Sequence, residues 1–553
     1  MTELDTSDPL APGSAAPEAS DSSSRSGNYV LDALALFARL GEREALVGGG
    51  DRLDYRQVRA AVLAQAAWLR DYGVPPGSAV LVMTSNVASA PILQLSLHLL
   101  GCRSMWVAPV TAPREIMEFA HLTAPDFFVY DSANFDQLGR AVAASLPGVP
   151  VLCLGSGGAG PDLTAPAADG QPAWDLDTPT PEPESFLQTS GSTGRPKLVN
   201  HKHGFYAQIL ALGAEFMAAG YPPLRHLSHS AMWLASGQMT SLFNLFTGGV
   251  LFLREEWDPA AFIATVTAEG INSTFCSPPM LYQVLDHPGL DRGDFSAMFM
   301  FNVGAGPATP ARLRQAIARF GPCLRIVYGL SEAVVITALP TLADDPEHPE
   351  RIGSVGLPFG DVEIEIRSTA EGACSATGFD PGQPLPAGQT GEVWVRSKLS
   401  FSGYFGQPEL TATTIVDGWV RTRDIGYRDS DGYLYLVDRA HDMIVTHRRN
   451  WAIFCTPIEA ALAEHPGVQA AAVIGVPDPV VGEVPHAFVV RRPGTLAGAE
   501  AERELIELVE AELNDMYAPG GVTFLAELPL NRSLKIDKPA LRAAWAATHT
   551  PAG

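Results

Sequence analysis

The 553-residue chain reads as an α/β protein: a large N-terminal domain of layered sheets flanked by helices plus a smaller sheet, then a small α+β C-terminal domain. Three observations predict this. From Tyr29 onward, helical periodicity alternates with short apolar runs, the pattern of mostly parallel strands joined by helices. Beyond residue 350 the texture changes to two-residue alternation, expected of a smaller and more antiparallel sheet. From about 440 a last segment carries two strands and two helices of its own.

The elements follow in order. Residues 1–27 are rich in Ser, Ala, Pro and Asp without a hydrophobic period, which predicts a disordered tail. Leu53 to Tyr72 reads as an amphipathic helix, Ala79 to Thr84 as a buried strand and Ala90 to Leu100 as a helix. Phe127 to Tyr130 and Val149 to Leu154 are further strands, and residues 155–184 form a Gly/Pro/Ala-rich connector. A second α/β stretch runs from about 186 to 340. Val362 to Arg367 and Glu392 to Arg396 alternate like strands of the smaller sheet. The last segment predicts strands at 469–476 and 486–490 and helices near 457–464 and 500–516. The expected domains are therefore 28–439 and 440–553, and no internal repeat is visible.

Composition narrows the partners. Acidic residues number 61 and basic residues 37, a formal charge of −24, and 46% of residues are hydrophobic. That hydrophobic content excludes a disordered chain. The acid excess argues against nucleic acid, whose phosphates are gripped by Lys and Arg, although a small anionic ligand needs only a local site. Only five lysines occur (Lys197, Lys202, Lys398, Lys535 and Lys538), so each is informative where arginine would have served. The six cysteines show neither metal-ligand nor C-x-x-C spacing. The N-terminus carries Glu3, Asp5 and Asp8 without an apolar signal core, and no 18-residue apolar stretch is present. The expectation is a cytoplasmic protein with no membrane partner, monomeric or homodimeric.

Two glycine-rich segments compete as phosphate loops. Gly155-Ser-Gly157-Gly-Ala-Gly160 matches G-x-G-x-x-G after a strand, but three prolines follow where the dinucleotide fingerprint needs a helix, so it reads as a surface loop. The stronger segment is Thr189-Ser190-Gly191-Ser192-Thr193-Gly194-Arg195-Pro196-Lys197. Its small residues let backbone N–H groups turn inward around an anion, its hydroxyls add donors, and Lys197 adds a compact charge. It is not a Walker A loop, because Gly194 is followed by Arg-Pro.

This loop resembles the phosphate loop of the adenylate-forming superfamily of acyl-CoA synthetases, aryl-acid ligases, luciferases and peptide-synthetase adenylation domains. Further motifs recur in that order: Gly304-Ala305-Gly306-Pro307, Tyr328-Gly329-Leu330-Ser331-Glu332, Gly353 to Gly356, Gly391-Glu392, Thr422-Arg423-Asp424 and Asp438-Arg439. The segments 469–490 and 528–542 close the match, which covers roughly residues 30–545. The resemblance implies ATP-dependent adenylation of a small-molecule carboxylic acid with Mg²⁺, then transfer to a thiol of CoA or of an acyl carrier protein's phosphopantetheine. It also implies that the C-terminal domain is a mobile lid. On the matching positions, residues 189–197 with Thr193 hold the β- and γ-phosphates. Gly304, Ala305 and Gly306 lie beside the adenine, and Tyr328 stacks on it within the stretch Gly329, Ser331 and Glu332. Glu332 binds the metal, Asp424 accepts from the ribose hydroxyls and Arg439 sits near the ribose. Lys535 bridges the α-phosphate and the acid carboxylate. Lys535, Glu332 and Thr193 are thus the expected catalytic groups.

The chain departs from the pattern in parts that serve the second half-reaction. Arg423 replaces the usual glycine, Asp438 precedes Arg439, and His441 occupies the hinge. The loop from Val445 to Glu459 lacks the glycines of thioester-forming members and carries His447, Arg448, Arg449 and Trp451. Leu534 stands where a glycine usually precedes the lysine. These changes keep open a non-thiol acceptor (amide ligation, or nitrite-dependent diazotisation of an aryl amine) and a degenerate nucleotide-binding homologue. Trp233, Ser236, Gly237, Phe275, Cys276, Asn302, Gly304 and Gly329 lie where the family builds its acid pocket, and their mixed aromatic and small lining suits a compact or aryl acid.

Overall fold

The computed structural model describes residues 28–109, 113–165, 174–189, 197–339, 348–368, 382–439, 444–446, 451–478, 482–495, 499–531 and 535–549. The expected tail 1–27, the loop 190–196, His441 and the run 447–450 lie outside the described residues, as do Leu534 and the side chains of Thr189, Arg439 and Trp451.

Two large sheets form the body. One has nine strands in the order 357–358, 337–339, 324–328, 300–304, 273–276, 225–228, 250–253, 44–48 and 51–54. The other has six, in the order 151–154, 127–131, 79–83, 103–106, 184–189 and 197–202. Their central strands pair in parallel, as the alternating pattern predicts. Both faces are covered, and the strand Ala79–Met83 is buried throughout. A five-stranded antiparallel sheet around Gly391–Arg396 and Trp419–Arg428 follows, and a second five-stranded sheet organises the C-terminal domain.

Several boundaries differ from the sequence expectation for local reasons. The helix expected from Leu53 starts at Tyr55, because Asp54 caps it: the Gln57 N–H donates to Asp54 Oδ1 at 2.7 Å and the Asp54 N–H donates to Gln57 Oε1 at 2.8 Å. The C-terminal helix expected over 500–516 is Ala499–Glu512, and a turn closed by the Met516 N–H on Asn514 Oδ1 follows it. The strands expected at 469–476 and 486–490 are the long pair Val468–Asp478 and Gly482–Arg491. Gly155–Gly160 is a surface loop as expected: no helix begins there, and the segment folds back on its own strand through Cys153 N–H to the Pro161 carbonyl at 2.8 Å. A Cβ at Gly160 would lie 1.9 Å from the Val151 carbonyl oxygen, so close packing accounts for that glycine.

The C-terminal domain docks on the large one through a carboxylate. Asp286 accepts from Arg312 at 2.8 Å within the large domain, and from Gln469 at 3.1 Å and Arg492 at 3.5 Å across the joint. Arg314 pairs with Glu464 at 3.1 Å beside them. This docking sets Lys535 against the large domain.

Candidate active site

A cavity of about 940 Å³ opens at the C-terminal ends of the parallel strands of the nine-stranded sheet and extends beneath the helix Ala235–Phe246. Crevices at this end of an open parallel sheet are the usual ligand sites. Its wall unites Lys197, Glu332, Arg423 and Asp424 from the large domain with Lys535 from the small one.

Each of these side chains is aimed by a backbone feature. Two-residue alternation along Trp419–Arg428 buries Thr422 and Asp424 and exposes Arg423. The Thr422 hydroxyl donates to the Val393 carbonyl at 2.7 Å and accepts from the Asp424 N–H at 3.1 Å, which pins the turn. Arg423 has φ +64°, a left-handed conformation that strains a residue with a Cβ. Buried Tyr328 donates its hydroxyl to Asp424 Oδ2 at 2.5 Å, so it sits behind the wall while Asp424 stands on it. Glu332 follows the tight bend after Tyr328, and the Tyr404 hydroxyl donates to its Oε1 at 2.7 Å. The Tyr404 ring in turn lies 5.8 Å from Lys197 Nζ. Partial burial, with Arg423 nearby, holds the Lys197 pKa below the usual lysine value, and Glu332 opposes that shift. Lys535 is presented by a short loop closed by Asn531 N–H to the Lys535 carbonyl at 2.7 Å and Lys535 N–H to Asn531 Oδ1 at 3.2 Å.

The expected acid-pocket residues Trp233, Ser236, Phe275, Asn302 and Gly329 line the cavity, with Ala305 and Ser331 beside them. Gly237, Cys276 and Gly304 are buried outside the lining, and Gly306 is solvent-exposed and not part of the wall. Gly329 admits no side chain, because a Cβ there would lie 2.0 Å from the Val334 carbonyl oxygen. Of the phosphate loop, Thr189 ends the strand Glu184–Thr189 and Lys197 begins the next, and Ser190, Gly191, Ser192, Thr193 and Gly194 lie outside the described residues.

Sequence reasoning missed Tyr404, which supports Glu332, and the polar groups at the far end of the cavity, His226, Asn244 and Arg325. Only Arg325 carried a signal, as a charged residue inside the otherwise apolar strand Leu324–Tyr328; His226 and Asn244 sit among other polar residues of their elements. His226 Nδ1 lies 2.8 Å from Ser273 Oγ, and burial holds the ring pKa down at about 4, so the imidazole is neutral near pH 7.

The profile of the AMP-binding enzyme family matches residues 35–405, and that of the AMP-binding enzyme C-terminal domain matches 457–535. The chain belongs to this family. A feruloyl-CoA synthase from Amycolatopsis is 30% identical over 89% of this chain and 94% of its own length. A medium/long-chain-fatty-acid–CoA ligase of Mycobacterium tuberculosis is 32% identical over 69% of this chain and 65% of its own. The amide bond synthetase McbA from Marinactinospora thermotolerans superposes with a TM-score of 0.81 at 31% identity, covering 93% of this chain and 100% of that structure. The family and its fold make this chain an adenylate-forming, ATP-binding ligase. Among the described residues, no helix is long and apolar enough to cross a membrane.

Proposed function

We propose that the chain converts an aryl or other compact carboxylic acid and ATP into an acyl adenylate and pyrophosphate, then passes the acyl group to a thiol of CoA or of a carrier-protein pantetheine. The observation that carries this is Lys535 of the small domain sharing one cavity wall with Lys197, Glu332 and Asp424. Attack of a carboxylate on the α-phosphorus brings two anions together, so catalysis rests on positioning and aimed positive charge. Lys535 bridges the converging oxygens and acts most strongly in the transition state. Asp424, held by Tyr328 and Thr422, accepts from the ribose hydroxyls. Lys197 and Arg423 neutralise the polyphosphate, continuing the loop Thr189–Lys197. Tyr328 backs the adenine site, and Arg439 closes it at the inter-domain boundary.

Mg²⁺ fits the donors present. Glu332 offers one carboxylate on the wall, and Mg²⁺ is commonly held by one or two carboxylates plus substrate phosphates. When bound, the ion neutralises phosphate charge. Domains of 28–439 and 440–553 agree with the small antiparallel sheet ending at Arg439 and a new sheet starting at Ile444.

A second reading, an amine acceptor with amide product, draws on the glycine-free loop after Val445 and the likeness to an amide bond synthetase. The deciding experiment is ATP–pyrophosphate exchange across a panel of aryl and short-chain acids, nitrite included. Acid-dependent exchange is expected, and exchange with none of them overturns the proposal. Product analysis with CoA, and separately with an amine, then separates the two acceptors.

A further inference from the structure

The far end of the cavity is polar where a site for a plain hydrocarbon acid would be apolar. Its floor is one face of the nine-stranded sheet, on which register places His226 beside Ser273 and Ser273 beside Met300. Its roof is the helix Ala235–Phe246, which packs on the strand Arg225–Ser228 and contributes Met239, Phe243 and Asn244. Phe275 and Val327 line the stretch between this end and the Lys535 side. The pocket is therefore apolar in its middle, where Phe275 offers an aromatic face, and at its tip sets polar groups among Met239, Phe243 and Met300.

Asn244 is 1% exposed and lines the cavity, yet neither its amide nitrogen nor its carbonyl oxygen has a hydrogen-bond partner. Opposite it, His226 is 3% exposed and its Nε2 is equally unpartnered, while Nδ1 is engaged by Ser273. Unsatisfied buried polar groups oppose folding until water or a ligand satisfies them, and three such atoms lie at this end of the cavity. Asn244 supplies one donor and one acceptor side, and the neutral imidazole adds a third contact.

From this geometry we infer that the acid substrate is an aromatic acid bearing a neutral donor–acceptor group, a hydroxyl or an amine, at the end distal to its carboxylate, received by Asn244 and His226. The inference rests on the adenylation reading. It identifies Asn244 and His226 as specificity-determining residues. A site built to bond such a group rejects the analogue that lacks it far more strongly than an apolar pocket rejects an extra methylene.

The experiment measures pyrophosphate release with paired benzoic and cinnamic acids, unsubstituted against para-hydroxy and para-amino. Wild-type enzyme is expected to favour a substituted acid at least 30-fold in kcat/KM. Asn244→Leu is expected to cut that ratio to threefold or less, with the loss mainly in KM, and His226→Leu to act in the same direction. Equal rates on paired acids in the wild type, or a ratio that survives in Asn244→Leu, overturn the inference while leaving adenylation standing. Preference for a para-carboxy acid also overturns it and gives the tip to Arg325. Turnover of no acid overturns both readings. Should either variant fail to fold by thermal melt, the wild-type ratio decides alone.

Discussion

Two residues on the cavity wall carry opposite expectations. In the proposed reaction Lys535 contributes charge where two anions meet, so Lys535→Ala should lower acid-dependent pyrophosphate release by about 10²-fold or more, the scale of losing one aimed charge. Near-normal release from this variant contradicts its role. Arg423 carries strain instead: its φ of +64° suits glycine, and its exposed side chain packs little. Arg423→Gly should stabilise the fold by about 1 kcal/mol, the cost of a left-handed residue less the added freedom of glycine in the unfolded chain. The same change should raise KM for ATP, because a cation beside Lys197 is removed. A melting temperature that falls together with ATP affinity removes strain as the explanation. Stability and affinity moving in opposite directions is the pattern of a functional strained site.

At the scale of elements, the helix Ala235–Phe246 is the part whose seat matters most. A Cβ at Gly237 would lie 1.9 Å from the Ala231 carbonyl oxygen, and both are backbone-anchored. An alanine in a helix usually stabilises, yet Gly237→Ala must push this helix off the turn before it. The expected result is a lower melting temperature and at least a tenfold rise in KM for the acid, read by steady-state kinetics. An unchanged KM shows that the helix tolerates the shift. This helix also marks the limit of what the sequence discloses. Long periodic helices and buried strands such as Tyr55–Tyr72 and Ala79–Met83 were legible because period and capping residues agree within one segment. That Lys197, Glu332, Asp424 and Lys535 belong together was legible because each sits in a short contiguous motif. Asn244 and His226 were not, since nothing local distinguishes them. Parallel pairing brings His226 beside Ser273, which is 47 positions away, and tertiary packing lowers a helix over both.

For the whole molecule, buried histidines set the acid limit. His98, His201 and His229 are held down to about 3 and His226 to about 4, in each case chiefly by burial. Each folded-state pKa lies below the ordinary value, so above pH 6.5 both states are neutral at these rings. Below it the unfolded chain takes up protons that the folded chain refuses, and stability falls by up to about 1.4 kcal/mol per group and pH unit. The melting temperature should therefore drop steeply between pH 6.5 and 4, and calorimetric scans showing it flat across that window contradict the neutral, buried assignment. The joint between the domains answers to a different variable. Arg314, Glu464 and Arg492 there are substantially solvent-exposed and Asp286 is partly so, and the Debye length shrinks from about 10 Å at 0.1 M salt to about 3 Å at 1 M. Those charges help hold the small domain, and with it Lys535, against the large one. In the proposed reaction, raising ionic strength should therefore act as a throttle on the first chemical step, slowing acid-dependent pyrophosphate release while the large domain, held by its apolar cores, stays folded.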